Sequence, residues 1–449
     1  MSKPTRLERW LFRILVVGLI TSVALGWFIF HDEPQPDLSD FAYPTTEAPE
    51  QDNAYWLLLD AARISPEPPE SPELDDQTQN RPSWESYLVG TADERTRRFA
   101  EQSELWTLLN AADSARHSIA PRNTDLAYLF PEDQSLHTTW VILLARAIHA
   151  AEGGDFRAAF DDIDLALRLA RRLEAAQNDL LPFILSQVLF ADSLIALQLV
   201  ADKCTDPQAL AAMIKGLEHR RGSKEHLLRT FRNQANIGLT ILESRSSVLR
   251  AFQTAKHLHR VAPSWLPDSL MLPLFNAHQS QRIYADFMRD SIAMLDLPAD
   301  QVRQRNLELY EHLDQELHGP LITLPRNLQG KIMLSALIPP LGGVLKTRAK
   351  IETQLDLTRL YLALRLYSLR HDTLPDRLEE LVPSFIAALP LDPFSKASFA
   401  YDASARTLSS AGKRKIPDHT LSSSLPSDPL LLHLRFADKA QAATSSEID

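Results

Sequence analysis

An apolar run close to the N-terminus constrains this chain more than any other feature of its sequence. Residues 11–30 contain a single charged side chain, Arg13; the basic residues of segment 1–10 precede them, and Asp32 and Glu33 follow. As a helix, a run of about 20 residues is roughly 30 Å long, which matches the hydrocarbon core of a bilayer. Arg13 lies one turn inside the run, from where its side chain reaches the headgroups. We therefore predict a transmembrane helix over residues 11–30.

The charges that flank this run predict its orientation. Basic residues before it and acidic residues after it favour a cytoplasmic N-terminus, with the bulk of a single-pass inner-membrane protein in the periplasm. A cleaved signal peptide is the alternative, because Ser22, Val23 and Ala24 resemble a cleavage site. Cleavage there would leave the apolar stretch 25–30 at the new N-terminus, so the anchor is favoured. A lipoprotein is excluded, because the only cysteine is Cys204.

The composition restricts the class of protein further. A length of 449 residues allows two or three domains. The net charge of −11 lacks the basic footprint that a nucleic-acid-binding protein needs. One cysteine excludes an internal disulfide, and we interpret Cys204 as a buried structural thiol. The chain has 13 glycines against 29 prolines, and the prolines cluster in connecting segments, which is typical of helices separated by breaks.

The hydrophobic periodicity predicts an α-helical periplasmic domain over residues 51–336, joined to the membrane by a proline-rich linker, residues 31–50. An acidic, proline-rich stretch, residues 65–82, is predicted to be a solvated loop. Residues 332–345 are apolar but broken by prolines and glycines, and are interpreted as a buried hinge. The predicted helices are Asp52–Ile64, Leu136–Ala151, Asp155–Ala176, Leu180–Ala201, Pro207–His219, Lys224–Thr254, Asp268–Leu295 and Ala299–Leu317.

One stretch of this domain, Leu143–Leu173, has the pattern of a close-packed helical hairpin. Small residues recur on both helices, because they let two antiparallel helices approach closely, and a short glycine turn reverses the chain between them. The stretch resembles a tetratricopeptide-type helix pair, although a generic hairpin fits the single copy as well. The residues that carry the resemblance are Ala147, Ala151, Gly153, Gly154, Asp155, Ala158, Ala159, Ala166 and Leu167.

The C-terminal region, residues 337–436, changes from helical to mixed character. A long helix, Lys346–Arg370, is predicted to pack against a small three-stranded antiparallel sheet, and residues 437–449 are predicted to form a flexible tail. The predicted strands are Ala397–Tyr401, Arg406–Ser410 and Leu430–Phe436. The predicted fold class is therefore mainly α, with a small C-terminal α+β module.

A series of short motifs follows this long helix in a characteristic order. The motif residues are Arg359, Ala363, Leu364, Tyr367, Leu374-Pro375, Leu378, Leu381-Val382-Pro383, Leu389-Pro390-Leu391-Asp392-Pro393-Phe394, Tyr401 and Leu408-Ser409-Ser410-Ala411-Gly412. In this order they resemble the C-terminal module of a family of large, uncharacterised bacterial envelope proteins. That module is similar to the globular region of type II secretion pseudopilins, so the resemblance implies a long helix, a loop and a small sheet.

Three features of pseudopilins do not occur in this chain. No Gly-Phe-x-x-x-Glu signature opens the apolar run, Ser395 replaces the glycine that usually follows the Asp-Pro-Phe element, and a basic stretch, residues 413–415, replaces the acidic calcium loop. The resemblance therefore implies the fold of the module, and neither pilus assembly nor calcium binding.

The sequence contains no recognised catalytic, phosphate-binding or zinc-binding motif. We therefore predict no catalytic, cofactor-binding or metal-binding residues. His257 and His259 are two residues apart, which places them on different faces of a helix, and they are interpreted as solvated. A helix that carries three aspartates and three arginines is interpreted as a solvated face with ion pairs. These residues are Asp161, Asp162, Asp164, Arg168, Arg171 and Arg172.

These features together favour a membrane-anchored periplasmic protein that binds other envelope proteins, as an interaction or scaffold component. Two alternatives stay open: an accessory component of a type II secretion or type IV pilus-like system, and an uncharacterised hydrolase. The expected partners are the membrane, through residues 11–30, and other envelope proteins, whereas nucleic acid is not expected. A pocket that holds clustered titratable groups would favour the hydrolase.

Overall fold

The structure, a computed structural model, describes residues 19, 21–23, 26–29, 31–41, 49–67, 84–120, 133–176, 180–243, 246, 275–318, 326–339, 341–412 and 430–434. Residues 19, 21–23 and 26–29 are helical, and the other residues of the predicted transmembrane segment lie outside the described residues. Also outside the described residues are His257, His259, most of the predicted loop 65–82 and the predicted tail.

The described chain is mainly α-helical, as predicted. The helices are α1 (Ala54–Ile64), α2 (Trp84–Tyr87), α3 (Ala92–Glu101), α4 (Ser103–Ser114), α5 (Asp133–Glu152), α6 (Phe156–Ala175), α7 (Leu180–Lys203), α8 (Pro207–Leu217), α9 (Lys224–Ile241), α10 (Ala277–Ala293), α11 (Ala299–His318), α12 (Leu328–Leu337) and α13 (Leu341–His371).

The predicted hairpin is formed by α5 and α6. The side chain of Asp155 caps α6 by accepting a hydrogen bond from Ala158 N at 3.0 Å. Gly154 adopts a φ of +82°, which lets the chain reverse at low steric cost. Ala147 and Ala159 are fully buried, as close packing of the two helices requires. The helical hairpin is therefore confirmed, and its kinship with tetratricopeptide repeats stays a prediction.

Several predicted boundaries in the helical region are wrong. Helix α9 ends at Ile241 instead of Thr254, because Leu242 has left helical geometry. Helix α10 begins at Ala277 instead of Asp268, because Asn276 is extended and its N–H bonds to the side chain of Asn327. The predicted hinge 332–345 is mostly helical, with a break at residues 338 and 339 between α12 and α13. Helix α13 therefore begins at Leu341 instead of Lys346, and both glycines lie in its first turn.

The apolar side chains form two cores that share α7 and α13. The first core joins α1–α8 with most of α13 and the sheet, and the second joins α9–α12 with residue 41. The start of α7, with Phe183, belongs to the second core, and Phe190 further along belongs to the first. Helix α13 changes core in the same way, from Leu345 to Ile351. The two long helices therefore connect both cores as continuous rods.

The C-terminal module consists of α13 and a three-stranded antiparallel sheet, as predicted. The strands are β1 (Ala400–Asp402), β2 (Thr407–Ser409) and β3 (Leu431–His433), in the order β1-β2-β3. Asp392, interpreted from the sequence as part of a turn, is buried and accepts hydrogen bonds from Phe394 N, Ser410 Oγ and Ala411 N. This carboxylate therefore ties the loop before β1 to the chain after β2. The link to pseudopilins stays a prediction.

Two described helical stretches are long and apolar enough to cross a membrane. They are Pro182–Lys203, in α7, and Leu328–His371, which comprises α12 and α13. The most apolar windows of these stretches are 61% and 59% buried inside the protein. Buried core helices of a soluble protein have the same length and composition, so these stretches are weak indications of a membrane span.

Candidate functional site

An open cavity of about 530 Å³ lies between α6, the segment after α4, and the start of α9. Its wall contains seven arginines and three histidines but only one carboxylate, although the whole chain carries a net charge of −11. The lining residues are Asp113, Arg116, His117, Ser118, Ile119, Arg168, Arg171, Arg172, Ala175, His219, Arg220, Arg221, His226 and Arg229. This site was not predicted from the sequence.

One face of α6 supplies three of the arginines. Arg171 and Arg172 follow Arg168 by three and four residues, so all three point to the same side of the helix. Asp162 pairs with Arg146 of α5, and its side chain is only 15% exposed. The predicted ion pairs are present, since Asp164 pairs with Arg168 one turn further along the same helix. The predicted solvated face is wrong for Asp162, which α5 covers.

The segment after α4 forms a second wall of the cavity, and hydrogen bonds to its backbone hold it in place. Both the N–H and the carbonyl group of Ile119 bond to the side chain of Asn53, the N-cap of α1. Arg172 donates from Nη1 to the carbonyl of Ala115 at 2.7 Å, and the hydroxyl of Ser118 donates to the carbonyl of Arg172 at 2.6 Å. These bonds fix Arg116 and His117 next to the α6 face.

The loop between α8 and α9 forms the third wall, and buried charged side chains hold it. Arg348 of α13 donates to the carbonyls of Gly222 and Ser223, at 2.9 and 3.0 Å. Glu352 of α13 accepts from the N–H of Gly222 at 2.9 Å. A Cβ at Gly222 would lie 2.8–3.0 Å from the polar atoms of Arg171, Glu174 and Glu352, so only glycine fits without rearrangement.

Carboxylates behind the wall orient the guanidinium groups. Asp164 receives both Nε and Nη2 of Arg220, and Asp356 receives Nη2 of Arg221. Neither carboxylate lines the cavity. Burial raises the pKa of Asp356 above its usual range, and the charge and hydrogen bond of Arg221 oppose this rise. The acidic partners thus hold the arginines in place while the cavity surface stays basic.

The arginines retain donors for a ligand. A guanidinium group has five N–H donors. In the described part of the chain, the side chain of Arg116 hydrogen-bonds only to Asp52 and that of Arg229 only to Glu225, each through one nitrogen. Arg172 donates one hydrogen bond, to Ala115, and its Nε lies 3.9 Å from Asp113. Paired N–H groups of arginine match the geometry of carboxylate and phosphate oxygens. The cavity is therefore suited to bind an anion.

His226 is a cavity histidine whose surroundings change its pKa. Burial lowers its pKa below the usual 6.5, while the nearby carboxylate of Glu174 opposes this shift. Its Nδ1 lies 3.9 Å from Glu174 Oε1, a buried oxygen without a hydrogen-bond partner among the described residues. The charges of Arg171, Arg229 and Arg348 also lower the pKa. An anion in the cavity would screen these cations and favour the protonated histidine.

The cavity groups three histidines and Asp113 around one hydroxyl that is already bonded. Its hydroxyl group, on Ser118, is engaged with the backbone carbonyl of Arg172, and a serine nucleophile needs an adjacent general base instead. Among the residues that the structure describes, no group of three or more His, Cys, Asp or Glu side chains is arranged to hold a metal ion.

The remaining sequence candidates lie apart from the cavity. Cys204 is fully buried, as predicted, and burial raises the pKa of its thiol. The chain was compared with protein-family models, curated proteins and solved structures, and none of them matches it.

Proposed function

We propose that this chain is a membrane-anchored binding protein of the bacterial envelope, with its bulk in the periplasm and an arginine-lined cavity for an anionic group. The observation that carries the proposal is the cavity wall, in which seven arginines and three histidines face one carboxylate. The bound group is a phosphate or carboxylate, whether on a small molecule or on an envelope protein. This extends the interaction or scaffold role that the sequence favours.

The described part of the apolar run supports the anchor. Leu19, Val23 and Trp27 are four residues apart, which places them on one helix face, and they are 61%, 64% and 67% exposed. An exposed apolar stripe of this kind is unfavourable in water and favourable in lipid. Together with the charges on either side, it supports the single-pass topology.

The cavity makes sulfate binding the first test, since sulfate stays a dianion over the whole working range of pH. We expect the full chain, purified in a non-ionic detergent, to bind sulfate measurably by calorimetry. Arg116→Gln combined with Arg229→Gln should weaken this binding by about tenfold or more, because two charged hydrogen-bond donors are lost. Both side chains are partly exposed, at 84% and 37%, so the fold should tolerate the change.

The matched control is Arg305→Gln, since Arg305 is an exposed arginine of α11 that lies outside the cavity. It should leave sulfate affinity unchanged. If the cavity variant and the control bind sulfate equally well, the cavity does not bind the anion. Inorganic phosphate and a short polyglutamate peptide, titrated in parallel, distinguish the two sources of negative charge.

The position of His226 predicts a pH dependence of this binding. Its pKa is lowered in the folded chain, so the proton is gained only below about 6.5, the ordinary value for histidine. Protonation adds positive charge to the cavity, so sulfate affinity should rise as the pH falls below this value. Without an anion, stability should fall over the same range, because the unfolded chain binds the proton more readily.

Calorimetry with sulfate on both sides of this pH measures the effect. His226→Gln should flatten the affinity profile, whereas His318→Gln, at an exposed position of α11, should leave it unchanged. A profile that persists in His226→Gln would assign the proton to another group.

A role as an accessory component of a secretion or pilus-like system is the second candidate. It is favoured by one observation, the three-stranded antiparallel sheet that follows the long helix α13. Co-purification of the full chain with secretion-system subunits, lost on deletion of residues 372–449, would support this role. Normal secretion in cells without the protein would count against it.

A further inference from the structure

The segment that follows the apolar run is bound to the helical domain. Both carboxylate oxygens of Asp32 accept backbone hydrogen bonds from the first turn of α10, from His278 N at 3.0 Å and from Gln279 N at 3.1 Å. A carboxylate at this place satisfies free N–H groups and interacts favourably with the helix dipole. Asp32 thus caps a helix that is about 245 residues away in sequence.

Further contacts fix the same segment along α10. Glu33 pairs with Arg282 at 2.8 Å and with Arg326 at 3.7 Å. Asp40 receives two hydrogen bonds from Arg289, at 2.8 and 2.9 Å. Phe41 is only 2% exposed and belongs to the second core. Residues 31–41, predicted as part of a linker, are therefore packed along the domain surface.

The end of the apolar helix lies directly against this docked segment. His31 N bonds to Trp27 O at 2.8 Å, and the rings of these residues stack with centroids 4.2 Å apart. The guanidinium of Arg326 lies 4.9 Å from the centre of the Phe28 ring. Asn276, just before α10, donates to the carbonyl of His31 at 3.2 Å. No free spacer separates the described end of the apolar helix from the second core.

We infer that the second core rests on the lipid headgroups of the membrane, held there by the docked segment 31–41. The inference rests on the proposed membrane anchor. Tryptophan favours the membrane–water interface, which places Trp27 at headgroup level. The contacts of His31, Asn276 and Arg326 then bring the first turn of α10 to the same level. The partner of this surface is a phospholipid bilayer.

Helix α7 leads from the second core into the first. This helix has 24 residues, so it is about 36 Å long. It begins in the second core and ends in the first, near Thr205, which is exposed. A probe at Thr205 therefore reports on a part of the molecule remote from the second-core end of α7.

Quenching of a fluorescent label by lipid tests the inference on the full chain. Single cysteines replace Val23, His278 or Thr205 in a Cys204→Ala background, and each is labelled with bimane. The protein is reconstituted in phosphatidylcholine vesicles that contain phosphatidylcholine with a headgroup nitroxide or with an acyl-chain nitroxide. We expect acyl-chain quenching at position 23, headgroup quenching at position 278, and at least threefold weaker quenching at position 205.

The three labels separate the failure of the inference from the failure of the anchor. Quenching at 23 without quenching at 278 would overturn the headgroup contact and leave the anchor intact. Absence of quenching at 23 would overturn the anchor and, with it, the inference. Equal quenching at 278 and 205 would also overturn it, because the second core would then have no special place at the membrane.

A variant of the docked segment tests the cause of the placement. Asp32→Ala with Glu33→Ala should lower the quenching at position 278 and leave that at position 23 unchanged. Asp37→Ala is the matched control, because the Asp37 carboxylate bonds to Ser39 within the segment itself. Unchanged quenching at 278 in the double variant would show that this docking does not hold the domain at the headgroups.

Discussion

Replacement of Arg171 by methionine should destabilise the folded chain by about 3–5 kcal/mol, the usual cost of breaking a buried ion pair. The side chain of Arg171 is 14% exposed, and it pairs with both Glu174 and Glu352, which are 1% and 14% exposed. It also donates to the carbonyl of Arg220 at 2.7 Å. Its loss would leave both carboxylates without the guanidinium group that pairs with them, and it would release the loop that carries Arg220.

Denaturant unfolding followed by circular dichroism measures this effect. Glu352→Gln combined with Arg171→Met should cost less than the sum of the two single changes, because the two side chains interact. Arg63→Met is the control, since Arg63 belongs to an exposed ion pair on α1 that contributes little. Additive effects of Arg171→Met and Glu352→Gln would show that the two residues do not interact.

Replacement of Gly238 by alanine should destabilise the second core by about 2–3 kcal/mol. A Cβ at this position would lie only 2.3–2.4 Å from atoms of the Tyr284 ring. Tyr284 is fully buried, and its hydroxyl bonds to the carbonyl of Gln234 at 3.2 Å, so the ring has no room to move away. The close contact of α9 with α10 therefore requires a glycine.

Gly343→Ala provides the opposite result as a control. Gly343 lies in the first turn of α13, and a Cβ there would meet nothing within 4 Å. Alanine is the better helix former, so this change should stabilise the chain by up to about 1 kcal/mol. Equal shifts of the unfolding midpoint in the two variants would contradict the packing of α9 on α10.

The sequence predicted the helices well where local signals were strong. Asp155 followed by an apolar periodicity identified the start of α6, and the glycines before it identified the turn. The sheet of the C-terminal module was also predicted, because β-prone stretches were separated by turn residues. These signals act within a few residues, so a single sequence is enough to read them.

The ends of α9 and α10 were predicted less well, because tertiary contacts decide them. Asn276 bonds to Asn327, which is 51 residues away, and this contact holds it out of the helix. Likewise, Asp32 caps α10 across most of the chain. Local propensity contains no information about such distant partners.

The chain by itself determined its helical class, its apolar run and the short sheet, because periodicity and turn residues are local properties. Only the tertiary structure decided that Arg116, Arg172 and Arg229 line one cavity. In sequence, the acidic residues of α6 lie among its arginines and cancel their charge. In the fold, Asp162 turns towards α5, and Asp164 pairs with Arg168 and Arg220 from behind the wall, so neither aspartate lines the cavity. An electrostatic site depends on which atoms face the solvent, and a linear order of residues does not specify that.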